Sequence, residues 1–318
     1  MILVTGGAGY IGGITAEQLL ARGYEVCILD NLSRGCRDVI PEGADFVEAD
    51  LADQAALTRL FAERPIQAVM HFAAYALVGE SMERPNLYFR NNFVSALNLL
   101  EAAQQAGVER FIFSSTCAIF GDKVAPPIGE DAPKKPINPY GESKLAFEKA
   151  LEWTHRLHGL PFFALRYFNA CGASPTRGER HEPETHLIPL VLRAAAGEMP
   201  AIKVFGNDYP TPDGTCIRDY VHVLDLADAH ILALEAPAEL AGGYNVGVGR
   251  GDSVREVIDT ARRVTGKEIP EIAVARRPGD PPELVADSRK IQQKLGWKPQ
   301  RTLEDSIRSA WEFKQSRT

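Results

Sequence analysis

The chain has 318 residues, 45% hydrophobic and 24% charged, with 35 basic against 42 acidic side chains and a formal charge of −7. That balance excludes a generic nucleic-acid binder, and the composition excludes disordered and fibrous classes. No apolar run approaches the roughly 18 residues that span a bilayer, and the opening MILVTGGAG has no basic leader, so a cytoplasmic protein of about two domains is expected.

The first half alternates short aliphatic runs with longer amphipathic stretches. Strands are predicted near 2–5, 25–29, 45–48, 67–72, 109–114 and 161–167, with helices at 10–22, 53–63, 85–106 and 139–158. This is the pattern of βαβ units, hence an α/β fold with a doubly wound parallel (Rossmann) sheet over residues 1–170. Beyond about 170 the chain carries long polar segments rich in Pro and Gly, RGERHEPETHLIP and FGNDYPTPDGTCIRDY, of the kind that form or cover sites. A strand and helix at 220–234 fit a return to the first sheet, so 217–235 is assigned to the first domain. Helices near 252–265, 287–295 and 302–315 complete a smaller mixed α/β domain over 171–318. The five cysteines are scattered with no CxxC pair, which points to free thiols.

Thr5-Gly6-Gly7-Ala8-Gly9-Tyr10-Ile11-Gly12 lies between the first strand and the first helix and satisfies both GxxGxxG and GxGxxG. Glycines there permit the tight turn and let the backbone approach a pyrophosphate at the helix N-terminus. Asp30, ending the second strand, stands where an acid accepts the ribose hydroxyls, which favours NAD over NADP; Arg34 and Arg37 nearby are the counter-signal. Asp50 and Leu51 end the third strand, suited to an adenine contact or to a strand-end cap.

Tyr140 and Lys144 form YxxxK on one face of a helix that begins after Pro139, following a strand that ends FSST (113–116). A phenol with an ordinary pKa near 10 acts as a base at neutral pH only when its phenolate is stabilised, a task that falls to the Lys144 ammonium and to a cationic nicotinamide. Thr116 offers a hydroxyl to pass the proton or to orient the substrate, or else bonds the backbone at the strand end.

The chain resembles the extended short-chain dehydrogenase/reductase family, and within it the branch that inverts C4 of UDP-glucose and UDP-galactose. The shared segments are TGGAGYIG, HFAA (71–74), VGES (78–81), RNN (90–92), FSST, PYGESK (139–144), RYFNACGA (166–173), GNDYPTPDGTCIRDYVHVLDLADAH (206–230), RRPGD (276–280) and the late LGWKP. They span nearly the whole chain, and the 206–230 block is the most specific. The resemblance implies Thr116, Tyr140 and Lys144 as the catalytic set. It implies NAD held by the glycine turn (Gly6, Gly9, Tyr10, Ile11, Gly12), by Asp30, Asn31, Asp50 and Leu51, by Phe72, Ala73, Ala74 and Asn91, and by Ser114, Tyr140, Lys144 and Tyr167. The UDP-sugar falls to Thr116, Asn169, His186, Leu187, Phe205, Arg218, Arg277, Asp280 and Leu284. A homodimer through helices near 85–106 and 139–158 is implied as well.

Two positions depart from the family pattern. Ala76 replaces a lysine that reaches the cofactor phosphates, so NAD is held less firmly or the charge comes from elsewhere. Leu284 replaces a bulky tyrosine, which suggests a pocket roomy enough for an N-acetyl group and UDP-N-acetylglucosamine or its epimer as a further substrate. Cys117-Ala118 after Thr116 supply no acid pair for a dehydratase. A UDP-uronate epimerase and a non-catalytic NAD-binding regulator remain the alternatives. His181-Glu-Pro-Glu-Thr-His186 superficially resembles HExxH, but its histidines are five apart and Pro183 breaks a helix, so no metal is expected.

Overall fold

The computed structural model describes residues 1–277 and 279–317; Pro278, within RRPGD, and Thr318 lie outside the described residues. In chain order, β1 (Ile2–Thr5), α1 (Tyr10–Ala21), β2 (Val26–Asp30), β3 (Asp45–Glu48), α2 (Gln54–Glu63) and β4 (Ala68–His71) open the chain. They are followed by α3 (Val78–Glu83), α4 (Pro85–Phe89), a π-helical turn (Arg90–Val94), α5 (Ser95–Gln105), β5 (Arg110–Thr116), α6 (Pro139–His158) and β6 (Phe162–Tyr167). Then come β7 (Asn169–Cys171), α7 (Leu187–Ala195), β8 (Ile202–Phe205), β9 (Ile217–Arg218), β10 (Tyr220–His222), α8 (Val223–Glu235) and β11 (Gly242–Val246). The chain closes with β12 (Asp252–Ser253), α9 (Val254–Thr265), β13 (Glu271–Val274), β14 (Glu283–Leu284), α10 (Arg289–Leu295) and α11 (Leu303–Gln315).

Seven strands form one parallel sheet in the order β11-β6-β5-β4-β1-β2-β3. Its inner strands are continuous apolar runs because helices cover both faces; every residue of β1, β2 and β4 is buried. Alternate side chains sort to the two sides. Val4, Ile28, Met70 and Ile112 pack with Leu19 of α1 and Leu226 of α8, whereas Leu3, Leu29, Val69 and Phe111 pack with Leu57 of α2, Leu99 of α5 and Phe147 of α6. A third core joins α7, α9, α11 and β8 through Val191, Ile258, Ile307 and Ile202.

Two expectations need correction. The strand at 220–222 does not enter the central sheet: it pairs with β7, although α8 behind it does pack on α1. The return strand is instead β11, beside β6. The predicted helix 85–106 is interrupted, because the π-helical turn lets Asn92 face inward, where its amide brackets the backbone N and O of Tyr75 at 2.9 Å each.

Candidate active site

The strand C-termini of β1, β2, β4, β5 and β6 open into a cleft of about 1550 Å³, roofed by the third core layer. Every site residue named from the sequence lines it, from the glycine turn at one end to Arg277, Asp280 and Leu284 at the other. The space exceeds the roughly 300–1,000 Å³ of a single small-ligand pocket.

At the β1–α1 turn a Cβ on Gly6 would stand 2.6 Å from Ala73 N, and one on Gly12 would stand 2.4 Å from Gly6 O. Glycine therefore keeps the turn shut and the backbone exposed to a ligand. Gly9 is the N-cap of α1, and no side chain caps that end, so the first N–H groups of the helix are left for an anion. Asp30 is fixed by two backbone donors, Ala8 N at 3.0 Å and Leu32 N at 2.8 Å, which leaves carboxylate lone pairs for a diol. Burial raises its pKa, and the two amides oppose that shift. Asn31 donates to Asp50 at 2.7 Å, and Asp50 also accepts from Ala52 N, so the strand-end cap and a place in the cleft hold together. Arg34 is engaged by both oxygens of Glu80 and lies over Tyr75, and Arg37 is paired with Glu48. Both arginines near Asp30 already have carboxylate partners, which favours an unphosphorylated ribose. These features together fit NAD.

Asn138 caps α6 through Gly141 N at 2.8 Å, with Pro139 at the first helical position, and this sets Tyr140 and Lys144 facing the end of β5. A Cβ at Gly141 would meet Ala118 O at 2.6 Å, so glycine lets the helix start press against the segment after Thr116. Thr116 accepts from Ala118 N at 3.1 Å and lines the cleft together with Tyr140. Lys144, 3% exposed, donates to Ser114 O at 2.8 Å and rests over the Phe113 ring.

The electrostatics differ from the expectation. Burial pushes the Tyr140 phenol up to about 12 against the pull of Thr116, and burial brings Lys144 down to about 7, Glu148 resisting. The protein alone thus favours a neutral phenol, because the phenol is itself buried; Lys144 is desolvated too and turned toward a carbonyl.

At the far end, Arg218 donates to Ile217 O and Pro281 O and stands 3.5 Å from Asp280, while Arg277 lies 4.0 Å over the Phe205 ring. His186 is the N-cap of α7 and Leu187 its first residue. Asn169 begins β7, and Leu284 pairs in register with Arg218. Residues the sequence reading passed over also shape the cleft. Asn92 fixes Tyr75; Glu148, four positions after Lys144, holds Arg166; and Glu179, His181 and Glu184 line the wall beside His186. The i, i+4 spacing of Lys144 and Glu148 was the available signal for Glu148.

A doubly wound sheet with this turn, acid and Thr–Tyr–Lys set defines an enzyme built on a dinucleotide-binding domain. The sequence profile of the NAD dependent epimerase/dehydratase family matches residues 2–247, and the chain belongs to that family. It is 47% identical over 320 residues to the UDP-glucose 4-epimerase of Lacticaseibacillus casei, covering 99% of this chain and 97% of that protein. Among solved structures it is similar to UDP-glucose 4-epimerase from Brucella ovis in complex with NAD (TM-score 0.94, 47% identity, 98% of each chain). It is also similar to the Bifidobacterium longum enzyme in complex with NAD+ and UDP (TM-score 0.93, 37% identity, 99% of this chain and 98% of that one). Among the described residues, no helix is long and apolar enough to cross a membrane.

Proposed function

We propose that this chain interconverts UDP-glucose and UDP-galactose by inverting C4 through a 4-keto sugar, with NAD retained and no net redox change. The observation that carries the reading is a single cleft in which the glycine turn and Asp30 lie at one end, Arg218 and Arg277 at the other, and Thr116, Tyr140 and Lys144 between them. When bound, NAD supplies the acceptor and donor of the C4 hydride and a positive charge that favours the Tyr140 phenolate. Tyr140 takes the proton of the 4-hydroxyl, directly or through Thr116, and gives it back when the ketone is reduced on its other face. Lys144, one helical turn after Tyr140 on α6, holds the end of β5 through Ser114 O. Arg218 and Arg277 clamp the diphosphate with Asn169, His186, Leu187, Phe205 and Asp280 around it, so the sugar turns while the nucleotide stays anchored.

We assign the cofactor to residues 1–170 together with α8 and β11, and the UDP-sugar to the layer formed by the remainder. We further assign a homodimer, a second copy covering the exposed Val94, Trp153 and Leu157 on the packed helices of the 85–106 and 139–158 segments, and a cytoplasmic site of action. All five cysteines are free. The test is to incubate purified protein with UDP-galactose, without and with added NAD, and resolve the C4 epimers. Epimer formation without net NADH supports the reading. Failure under both conditions, with conversion of a UDP-uronate instead, would overturn it.

A further inference from the structure

The wall of the cleft between β7 and α7 contains a cluster of which the reaction above uses only His186, beside the diphosphate. One ligand atom each of Glu179, His181 and His186 lie within 4.8 Å of one another. The helical HExxH geometry is indeed absent, but the irregular loop brings the two imidazoles together without it, ring centroids 5.9 Å apart.

Two further observations point to a ligand rather than to chance proximity. His181 Nδ1 is buried and stands 2.8 Å from Glu179 Oε1, yet it makes no hydrogen bond, so these two atoms are close without being aimed at each other. Glu184, whose side chain is 2% exposed, is bonded to His186 Nδ1 at 2.8 Å and to the backbone N–H groups of Thr185 and His186 at 2.7 Å. A carboxylate that fixes one ring nitrogen leaves the other, Nε2, as the ligating atom, which is the arrangement that orients metal-binding histidines. The charges agree: the two carboxylates, Glu179 and Glu184, offset a dication. The Tyr10 hydroxyl, in the same cleft, is engaged elsewhere, donating to Gly172 O at 2.6 Å.

We propose that Glu179, His181 and His186 form a divalent-cation site, with Glu184 as the carboxylate that orients His186. Two imidazoles and one carboxylate suit zinc or a related first-row cation and leave a coordination position for water or a phosphate oxygen on the cleft side. This site does not depend on the proposed epimerase activity, because its test needs no substrate.

Chelator-dialysed protein, without nucleotide, is titrated at pH 8 with Zn2+ by calorimetry and with Co2+ by visible absorption. One Zn2+ per chain is expected, together with Co2+ d–d bands that lack a thiolate charge-transfer band. Glu179→Gln and His181→Ala should each weaken Zn2+ binding by at least about tenfold. Glu179→Gln keeps an amide oxygen for the N–H groups of Arg180 and His181, and melting curves in chelator check that both variants are folded. Absence of a stoichiometric site, binding unchanged in both variants, or a thiolate band would each overturn the proposal.

Discussion

Glu148 and Arg166 form an ion pair sealed from solvent, with Arg166 Nε donating to Oε1 at 3.0 Å and Nη2 to Oε2 at 2.8 Å, and side chains 2% and 3% exposed. Ser115 Oγ adds a third bond to the same carboxylate at 2.5 Å. The pair bolts α6 to β5 and β6, one helical turn from Lys144 and next to Tyr167, so its geometry is transmitted to the centre of the cleft.

Removing one partner leaves the other charge buried and uncompensated. Glu148→Gln is expected to destabilise the fold by about 3–5 kcal/mol, measured by chemical denaturation. A loss under about 1 kcal/mol would mean that water or another carboxylate already reaches Arg166.

Lys144 gives a pH signature. Its pKa is about 7 in the fold against about 10.4 in an unfolded chain. Below pH 7 both states are protonated and the cost of burying the ammonium is fully present; between 7 and 10.4 the unfolded chain binds more protons, so stability rises with pH. Lys144→Met should therefore raise the melting temperature, relative to the natural protein, more at pH 6 than at pH 9. An offset independent of pH would show that Lys144 is not desolvated.

Tyr140→Phe keeps the ring that meets Tyr88 edge-on at 6.4 Å and removes only the hydroxyl. Turnover should fall by about 10²–10⁴-fold while NAD copurifies as before. Near-normal turnover would remove Tyr140 from proton transfer.

At the glycine turn, Gly12→Ala pushes a methyl against Gly6 O and is expected to cost about 1–3 kcal/mol and to lower NAD retention. Gly129→Ala, with nothing within 4 Å of its Cβ, is the control and should stay within about 0.5 kcal/mol. Equal effects would show that crowding at the turn is not the cause.

Leu284 lines the cleft and packs with Phe168 and Ile119. If its size sets the room around the sugar, Leu284→Tyr should depress conversion of UDP-N-acetylgalactosamine well below that of UDP-galactose. Activity on both substrates changing in parallel would place the limit elsewhere.

Most strands of the first half were legible because buried parallel strands are apolar runs, though β3, the half-buried edge strand DFVE, is not one; the glycine turn and YxxxK were legible because their spacing is local. β11 was not, and its sequence, GGYNV, explains why: a Cβ on Gly243 would stand 2.2 Å from Arg166 Nη2, so the strand gives up a side chain to seat a guanidinium from its neighbour. The pairing of Tyr220–His222 with β7 was hidden because three residues identify a strand but not its partner. Glu148 with Arg166, and Glu179 with His181 and His186, meet through tertiary and loop geometry that has no sequence period. The burial of Lys144 was hidden for a related reason: a lysine's position can be read from spacing, but its desolvation cannot.

The π-helical turn at Arg90–Val94 works as a one-residue insertion that the fold has kept. Each added residue rotates everything after it by about 100°, so α4 packs on α6 while α5 packs chiefly on α2 and the sheet. A repaired, regular helix would be the better helix and the worse enzyme part, since it would swing Asn92 off Tyr75 and leave the Phe72–Leu77 loop held only at Leu77, by the Tyr88 hydroxyl. In this molecule a local irregularity acts as the joint that lets one helix serve two faces.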